Sequence, residues 1–415
     1  MTTRRDFLRT STLLGFGATV PTFLGRTALA APGAEKPGAK DTVLVVVQLT
    51  GGNDGLNTVV PFKNDDYYKQ RPTIAIPKDQ VKKITDDVGF HPSMDAMAKL
   101  YTDEKAVCVV QGVGYPNPNQ SHFRSMDIWQ AASTAETLTE GWLGKSLKQK
   151  GVPAFHLAGG NESSPLALAG APARVPSINS LDDFKLKTVA VSGSDATAQK
   201  GFITSVAERV APKPAAPSNL LDFVSRTQMN TYASSEKLAS IGKNYQPKVP
   251  YPTTALANKL KLAAQLIDAG IGARLFYVTV DGFDTHAGQG GVAGAHANLL
   301  TQVSEAVSAF YRDLAGRGHK ERVCIMTFSE FGRRAYENGS KGTDHGAAAP
   351  MLLVGGGVKA GAVGAQPKLT GLKDGNLVHG TDFRQVYAAV LEKWLGVPGK
   401  EIVGEGFKPV EVFEK

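Results

Sequence analysis

Cysteine is scarce in this chain. Cys108 and Cys324 are the whole complement. Both sit inside apolar runs, residues 106–110 and 323–326, and read as small core side chains, with a disulfide between neighbouring strands as the alternative. Their number says nothing about compartment. Long basic tracts interleaved with aromatics are also missing. The densest basic stretch, residues 145–150, is broken by apolar and polar residues and reads as a solvated face, which argues against a nucleic-acid partner. The glycine-rich stretch 50–57 has neither GxGxxG spacing nor a P-loop lysine, so it does not read as a nucleotide cradle. No internal repeat is visible. The apolar stretch near the N-terminus is short and holds Gly15 and Gly17, so a stable membrane anchor is not expected.

What remains is an ordinary folded composition, 42% hydrophobic and 20% charged, in a length that suits one large α/β domain or two smaller ones. Part of the net charge of +8 lies near the start, where Arg4, Arg5, Arg9 and Arg26 face Asp6 alone. Residues 3–9 resemble a twin-arginine export motif. A moderately apolar stretch to residue 24 and the small-x-small site Ala28-Leu29-Ala30 follow in the right order. That implies a signal peptide over residues 1–30, the twin-arginine translocase as an export partner, and a periplasmic or secreted product. This route moves folded proteins, which fits a protein that acquires a metal before export. Residues 31–41 read as a flexible linker.

The domain proper begins with a continuous apolar run, residues 42–49, of the kind found in a parallel strand buried on both faces. Further short buried strands are expected at 106–110, 275–280, 323–328 and 350–354, with helices at about 91–100, 121–132, 255–269, 293–315 and 383–395. Residues 151–250 are rich in Ala, Pro, Ser and Lys and read as a cap or insertion with a helix at about 220–241. In open α/β sheets functional groups gather at the carboxyl ends of strands, and polar clusters stand there. Asp54 follows the first strand, as a ligand or as a turn residue beside Gly55. Ser121 starts a helix, as a cap or as a nucleophile favoured by the helix N-terminus. Asp281, Asp284 and His286 follow the third strand, the last two readable as a plain turn pair. Glu330 closes the fourth strand, where Arg333 and Arg334 either clamp an anionic oxygen or pair with Glu337. Asp344 and His345, flanked by Gly342 and Gly346, join the carboxylate and imidazole that a divalent ion requires. His296 and His319 read as surface residues.

The segments VQLTGGNDGLNTVVP, NQSHFRSMDIW, VDGFDTHAGQ, SEFGRR and GTDHGAAAP resemble the DUF1501 family over nearly the whole chain. That family is similar in turn to the alkaline phosphatase and sulfatase superfamily. The resemblance implies an alkaline-phosphatase-like three-layer fold, a mostly parallel central sheet between helices. It also implies a strand-end site with a divalent metal (Zn, Mn or Ca) held by Asp54, Asp281, His286, Glu330 and His345, with Ser121 as nucleophile. An alternative register makes Asp344-His345 the superfamily's Asp-His pair and His379 the late histidine. Glu330 stands where Asp is usual, Phe331 where a histidine often follows, and Ser121 lacks a Cys-x-Pro-x-Arg context, so formylglycine is not expected. The expected activity is hydrolysis or transfer of a phosphate or sulfate ester, with an anionic ester, glycan or lipid as substrate. The alternative is a non-catalytic periplasmic binding protein on the same fold.

Overall fold

The computed structural model describes residues 41–159, 162–181, 241 and 244–414. The export signal, the linker up to residue 40 and nearly all of the helix expected at 220–241 lie outside these. The chain divides into two compact units. The smaller comprises Met1–Lys36, Ser180–Tyr245 and Ala269–Gly272, and the larger comprises Pro37–Asn179, Gln246–Asp268 and Ala273–Lys415. Everything below concerns the larger.

Its centre is β1 (Val43–Leu49), every residue of which is buried. β1 pairs in parallel with β5 (Leu275–Val280) on one side and β6 (Val323–Phe328) on the other. Buried on both faces, it cannot alternate polar with apolar, hence the unbroken run VLVVVQL. Among the described residues the sheet has nine strands. Beyond β6 come β7 (Ala349–Gly355), β2 (Val107–Gly114) and β8 (Gly361–Val363), with β9 (Thr381–Asp382) also on β2. Beyond β5 come β3 (Ala154–Leu157) and β4 (Ser177–Ile178). The pairings are parallel except the two made by β7, which runs antiparallel to β2 and β6. The protein is therefore mixed α/β with a mostly parallel central sheet.

β3 and β4 correct one expectation. The stretch from residue 151 begins as sheet, not as a cap, because β3 pairs with β5 and β4 with β3. Their four- and two-residue lengths left no run long enough to read.

Helices cover both faces. One layer holds α3 (His122–Ala131), α4 (Trp142–Lys150) and α7 (Phe383–Ala389), packed on Leu44, Val46, Cys108, Tyr277, Cys324 and Met326. Trp129 stacks between Phe328 and Phe383, and Trp142 lies 4.2 Å from Tyr387. The other layer holds α2 (Asp95–Thr102), α5 (Ala255–Asp268) and α6 (Ala295–Ala315). Both cysteines are free and buried. β7 stands between their strands, so the neighbouring-strand disulfide does not form. His296, expected at the surface, is fully buried on α6 with Nε2 2.9 Å from Asn53 Oδ1. Among the described residues no helix is long and apolar enough to cross a membrane.

Candidate metal centre

The carboxyl ends of β1, β2, β5 and β6 lie together, and because β7 is antiparallel, the loop entering it arrives at the same end. Three close backbone approaches hold these loops. A Cβ on Gly51, whose φ is +118°, would stand 2.3 Å from the amide nitrogen of Asp284. A Cβ on Gly342 would stand 2.3 Å from His286 backbone, and one on Gly346 would stand 2.3 Å from Arg333 backbone. Gly342 and Gly346 do not adopt positive φ. They are glycine because two loops touch there, not because the chain turns left-handed.

These elements bring His122, Asp284 and His345 together, with His286 against the last two. Ligand atoms of His122, Asp284 and His345 all lie within 4.8 Å of one another. His286 Nε2 is 2.9 Å from His345 Nε2 and 3.1 Å from Asp284 Oδ1. His345 Nε2 is 3.2 Å from the same oxygen, and His122 Nε2 is 3.5 Å from Asp284 Oδ2. Each ring has its other nitrogen occupied. His345 Nδ1 lies 2.8 Å from the Gln120 carbonyl oxygen, His286 Nδ1 3.3 Å from Asp344 Oδ1, and His122 Nδ1 3.0 Å from Glu330 Oε1.

Those partners settle the tautomers. A carbonyl oxygen only accepts, so His345 Nδ1 carries the proton. Hydrogen bonds from Asn338 and His286 hold the Asp344 carboxyl below the usual range against a burial effect that raises it. It is therefore ionised, and His286 Nδ1 donates to it. In the neutral tautomers so fixed, the two Nε2 lone pairs face each other and an Asp284 oxygen that also accepts from Arg333. Burial works to raise the Asp284 pKa, but the Arg333 guanidinium and the two imidazoles bring it below the usual carboxylate range. Burial pulls His345 down, so it resists taking a proton itself. Metal-bound histidines characteristically show this pattern, with one nitrogen free and the other tied to a carboxylate or carbonyl.

The remaining expected residues stand behind this group. Glu330, fully buried, also accepts from the Gly51 amide at 2.8 Å and orients His122. Arg333 is sequestered. It donates to the Gly52, Gly51, Thr343 and Phe283 carbonyls and to Asp284 Oδ1 at 2.6 Å, with no N–H aimed at solvent. Its expected role of clamping a substrate oxygen is corrected to holding Asp284. Arg334 donates to the Tyr336 hydroxyl, and Glu337 takes the Thr73 and Ile74 amides, so the Arg–Glu337 pairing does not occur. Asp54 is corrected as well. It is fully buried, with Oδ1 3.2 Å from the Leu56 amide and Oδ2 2.6 Å from both Arg71 Nη1 and Gln289 Nε2. Arg71 and Gln289 bring its pKa down against a desolvation effect that raises it. Three of its lone-pair sites are taken, and it joins no cluster of metal-ligating side chains among the described residues. Asp281 is exposed and outside the converging group, as is half-buried His379. Ser121 is the exposed N-cap of α3, and its side chain makes no cap bond. Phe331 packs 4.6 Å from the His345 ring and 5.0 Å from that of His122, forming an apolar wall where a further histidine was absent.

Two residues of this group were not among the expected ligands. His122 is the first residue of a helix whose start was read through Ser121. Asp284 was weighed as half of a turn pair. The available signal was the i, i+2 placement of Asp284 and His286 directly after a strand.

Fold and site together define an α/β protein with a strand-end histidine–carboxylate centre. The sequence matches the family model described as "Protein of unknown function (DUF1501)" over residues 41–402, and the chain belongs to that family. No match was found among curated proteins. Similar solved structures include the PsFucS1 sulfatase from Pseudoalteromonas sp., 14% identical, covering 94% of this chain and 74% of that one at a TM-score of 0.38. They include the zinc complex of the C-terminal periplasmic domain of EcEptC from Escherichia coli, 11% identical, covering 77% and 75% at a TM-score of 0.35. The lipoteichoic acid synthase LtaP from Listeria monocytogenes is 11% identical, covering 82% and 74% at a TM-score of 0.28.

Proposed function

We propose that the chain is an exported metal-dependent hydrolase or transferase of phosphate or sulfate esters, with His122, Asp284, His286 and His345 holding the ion. One observation carries this reading. Three atoms able to ligate an ion, His286 Nε2, His345 Nε2 and Asp284 Oδ1, lie 2.9–3.2 Å apart, while the other nitrogen of each ring is held by an oxygen. A divalent cation would hold all three. Three imidazoles and a carboxylate suit Zn or Mn, and suit Ca poorly, because Ca prefers all-oxygen shells.

A bound divalent ion would supply Lewis acidity and offset the charge of an anionic ester. The chain's own residues do the rest. Arg333 fixes Asp284, and Glu330, Asp344 and the Gln120 carbonyl fix the three rings. Phe331 keeps water from one side of His122 and His345. Ser121 presents a free hydroxyl beside His122 at the N-terminus of a ten-residue helix, where the helix dipole favours an alkoxide and an anionic substrate. Its Oγ gives up its proton to solvent and bonds to the ester phosphorus or sulfur as the alcohol oxygen departs and takes a proton from solvent. Water then attacks the same phosphorus or sulfur, releasing phosphate or sulfate, and the Ser121 oxygen regains its proton.

The test is elemental analysis of the mature protein purified without chelator, beside an Asp284→Ala/His345→Ala variant. About one equivalent of Zn or Mn, absent from the variant, is expected. A wild type that is folded and metal-free after incubation with either ion sinks the reading. A screen of phosphate and sulfate esters then follows, with Ser121→Ala as control. Full activity in that variant would assign the nucleophile to water instead.

A further inference from the structure

Behind the centre lies one side chain that ties its two principal ligand loops together. Gln289 is fully buried. Its Oε1 accepts from Thr285 Oγ1 at 2.9 Å and from Thr343 Oγ1 at 2.7 Å. Its Nε2 donates to Asp54 Oδ2 at 2.6 Å. Thr285 stands between Asp284 and His286 in the loop after β5, and Thr343 immediately precedes Asp344 and His345 in the loop before β7. One amide group thus grips both ligand loops and moors them to the buried Asp54–Arg71 pair at the end of β1. Backbone bonds cross at the same seam. The Thr343 amide donates to the Thr285 carbonyl at 3.1 Å, and the Gln289 amide to the Lys341 carbonyl at 3.0 Å.

We propose that Gln289 is a positioning residue that sets the register between the Asp284/His286 loop and the Asp344/His345 loop. This rests on the metal-centre reading above. The argument is one of orientation. A planar carboxamide has one acceptor and one donor end, fixed in opposite directions. Here the acceptor end needs two hydroxyl donors and the donor end needs an ionised carboxylate, and each demand is met by a different loop. Leucine fills a similar volume and meets none of them. His286 and His345 each offer the centre a single nitrogen, so a small slip between the loops separates them. Groups that orient ligands in this way typically change metal affinity 10–100-fold when removed.

The test compares wild type, Gln289→Leu, Thr285→Val/Thr343→Val and the triple combination, using Co(II) and Zn(II) alone as probes. Expected is a 10–100-fold weaker Zn(II) affinity in Gln289→Leu and a changed visible Co(II) spectrum, reporting altered ligand geometry. The double threonine variant should reproduce most of this, and the triple should add little, because all three changes break one linkage. Amide hydrogen exchange at Thr343 and Gln289 should quicken at least 10-fold in Gln289→Leu while the sheet amides are unchanged. Unchanged exchange at the seam overturns the proposal, whatever the metal does. Faster exchange with unaltered Zn(II) affinity and Co(II) spectrum also overturns it, leaving Gln289 a loop staple only. A wild type that binds neither ion overturns the metal-centre reading and the positioning role together, and the exchange data still report whether the staple exists.

Discussion

Two aspartates stand at the ends of neighbouring parallel strands and come to opposite arrangements. Asp54, after β1, is fully buried and saturated by Arg71, Gln289 and the Leu56 amide. Asp284, after β5, has a side chain 46% exposed, accepts from Arg333 and lies within 3.5 Å of three imidazole nitrogens. The first is a closed account of donors and acceptors. The second has acceptors in excess. A buried carboxylate with its counter-ion is a structural element, whereas the half-exposed carboxylate among imidazoles is the arrangement we propose to hold a cation. Position at a strand end does not separate these cases. The count of donors does.

The largest expected effect comes from breaking the closed account. Asp54→Ala leaves the Arg71 guanidinium buried without its carboxylate, which should lower stability by about 3–5 kcal/mol. His286→Ala removes one of the surplus acceptors from a half-exposed position. It should change apo-protein stability by under about 1 kcal/mol while abolishing metal binding. Chemical denaturation of both variants, without metal, checks the pair. Equal losses in the two would erase the distinction drawn here.

A second test uses pH. His296 lies beside the Asp54 network, and burial lowers its pKa to about 4 from an ordinary value of 6.5, with the Asp54 charge opposing the shift. A folded pKa below the unfolded one means the unfolded chain binds the extra proton between those values. Stability should therefore fall as pH drops from about 6.5 toward 4, by up to about 3 kcal/mol, and the effect of this group should level off below that. His296→Gln keeps a donor for Asn53 and cannot titrate. Its denaturation midpoints should vary less over the same window. Matching slopes for variant and wild type would remove His296 from the explanation.

Glu330→Gln probes the boundary between the two kinds of carboxylate. It is as buried as Asp54, yet its partner is His122, one of the proposed ligands. The amide keeps the Gly51 contact but weakens the hold on the His122 Nδ1 proton, so Zn affinity should fall 10–100-fold, about 1.4–2.7 kcal/mol. Competition with a chromophoric chelator measures this directly, and an unchanged affinity would assign Glu330 to structure alone.

Much of the architecture was legible because burial on two faces writes itself as continuous apolar runs. The expected spans at 275–280 and 323–328 are those of β5 and β6, and the expected helix at 255–269 matches α5 to one residue. β3 and β4 were missed because two to four residues carry no periodicity. The site was legible as a place but not as a ligand set. Of the expected ligands, His286 and His345 lie 2.9 Å apart, while Asp54 is bonded to Arg71 and Gln289, Glu330 to His122, and Asp344 to His286 and Asn338. Which carboxylate a guanidinium reaches depends on tertiary contacts. Arg71 lies seventeen positions from Asp54 in a separate loop, and nothing local marks the pairing. His296 on a helix face beside solvent-like neighbours gave the same ambiguity.

Ser121 offers the smallest and most discriminating comparison, against Asp382. Both are N-caps, of α3 and α7. Asp382 accepts from the Arg384 amide at 3.0 Å and completes a capping box with Gln385, whereas the Ser121 side chain makes no cap bond. Capping side chains typically contribute about 1 kcal/mol. Asp382→Ala should therefore lower stability by about that amount, and Ser121→Ala by less than about 0.5 kcal/mol. If Ser121→Ala destabilises the protein as much as Asp382→Ala does, the hydroxyl is a cap in solution and the nucleophile must be sought elsewhere. If stability is untouched and turnover of a responsive ester disappears, the residue belongs to the reaction and not to the fold.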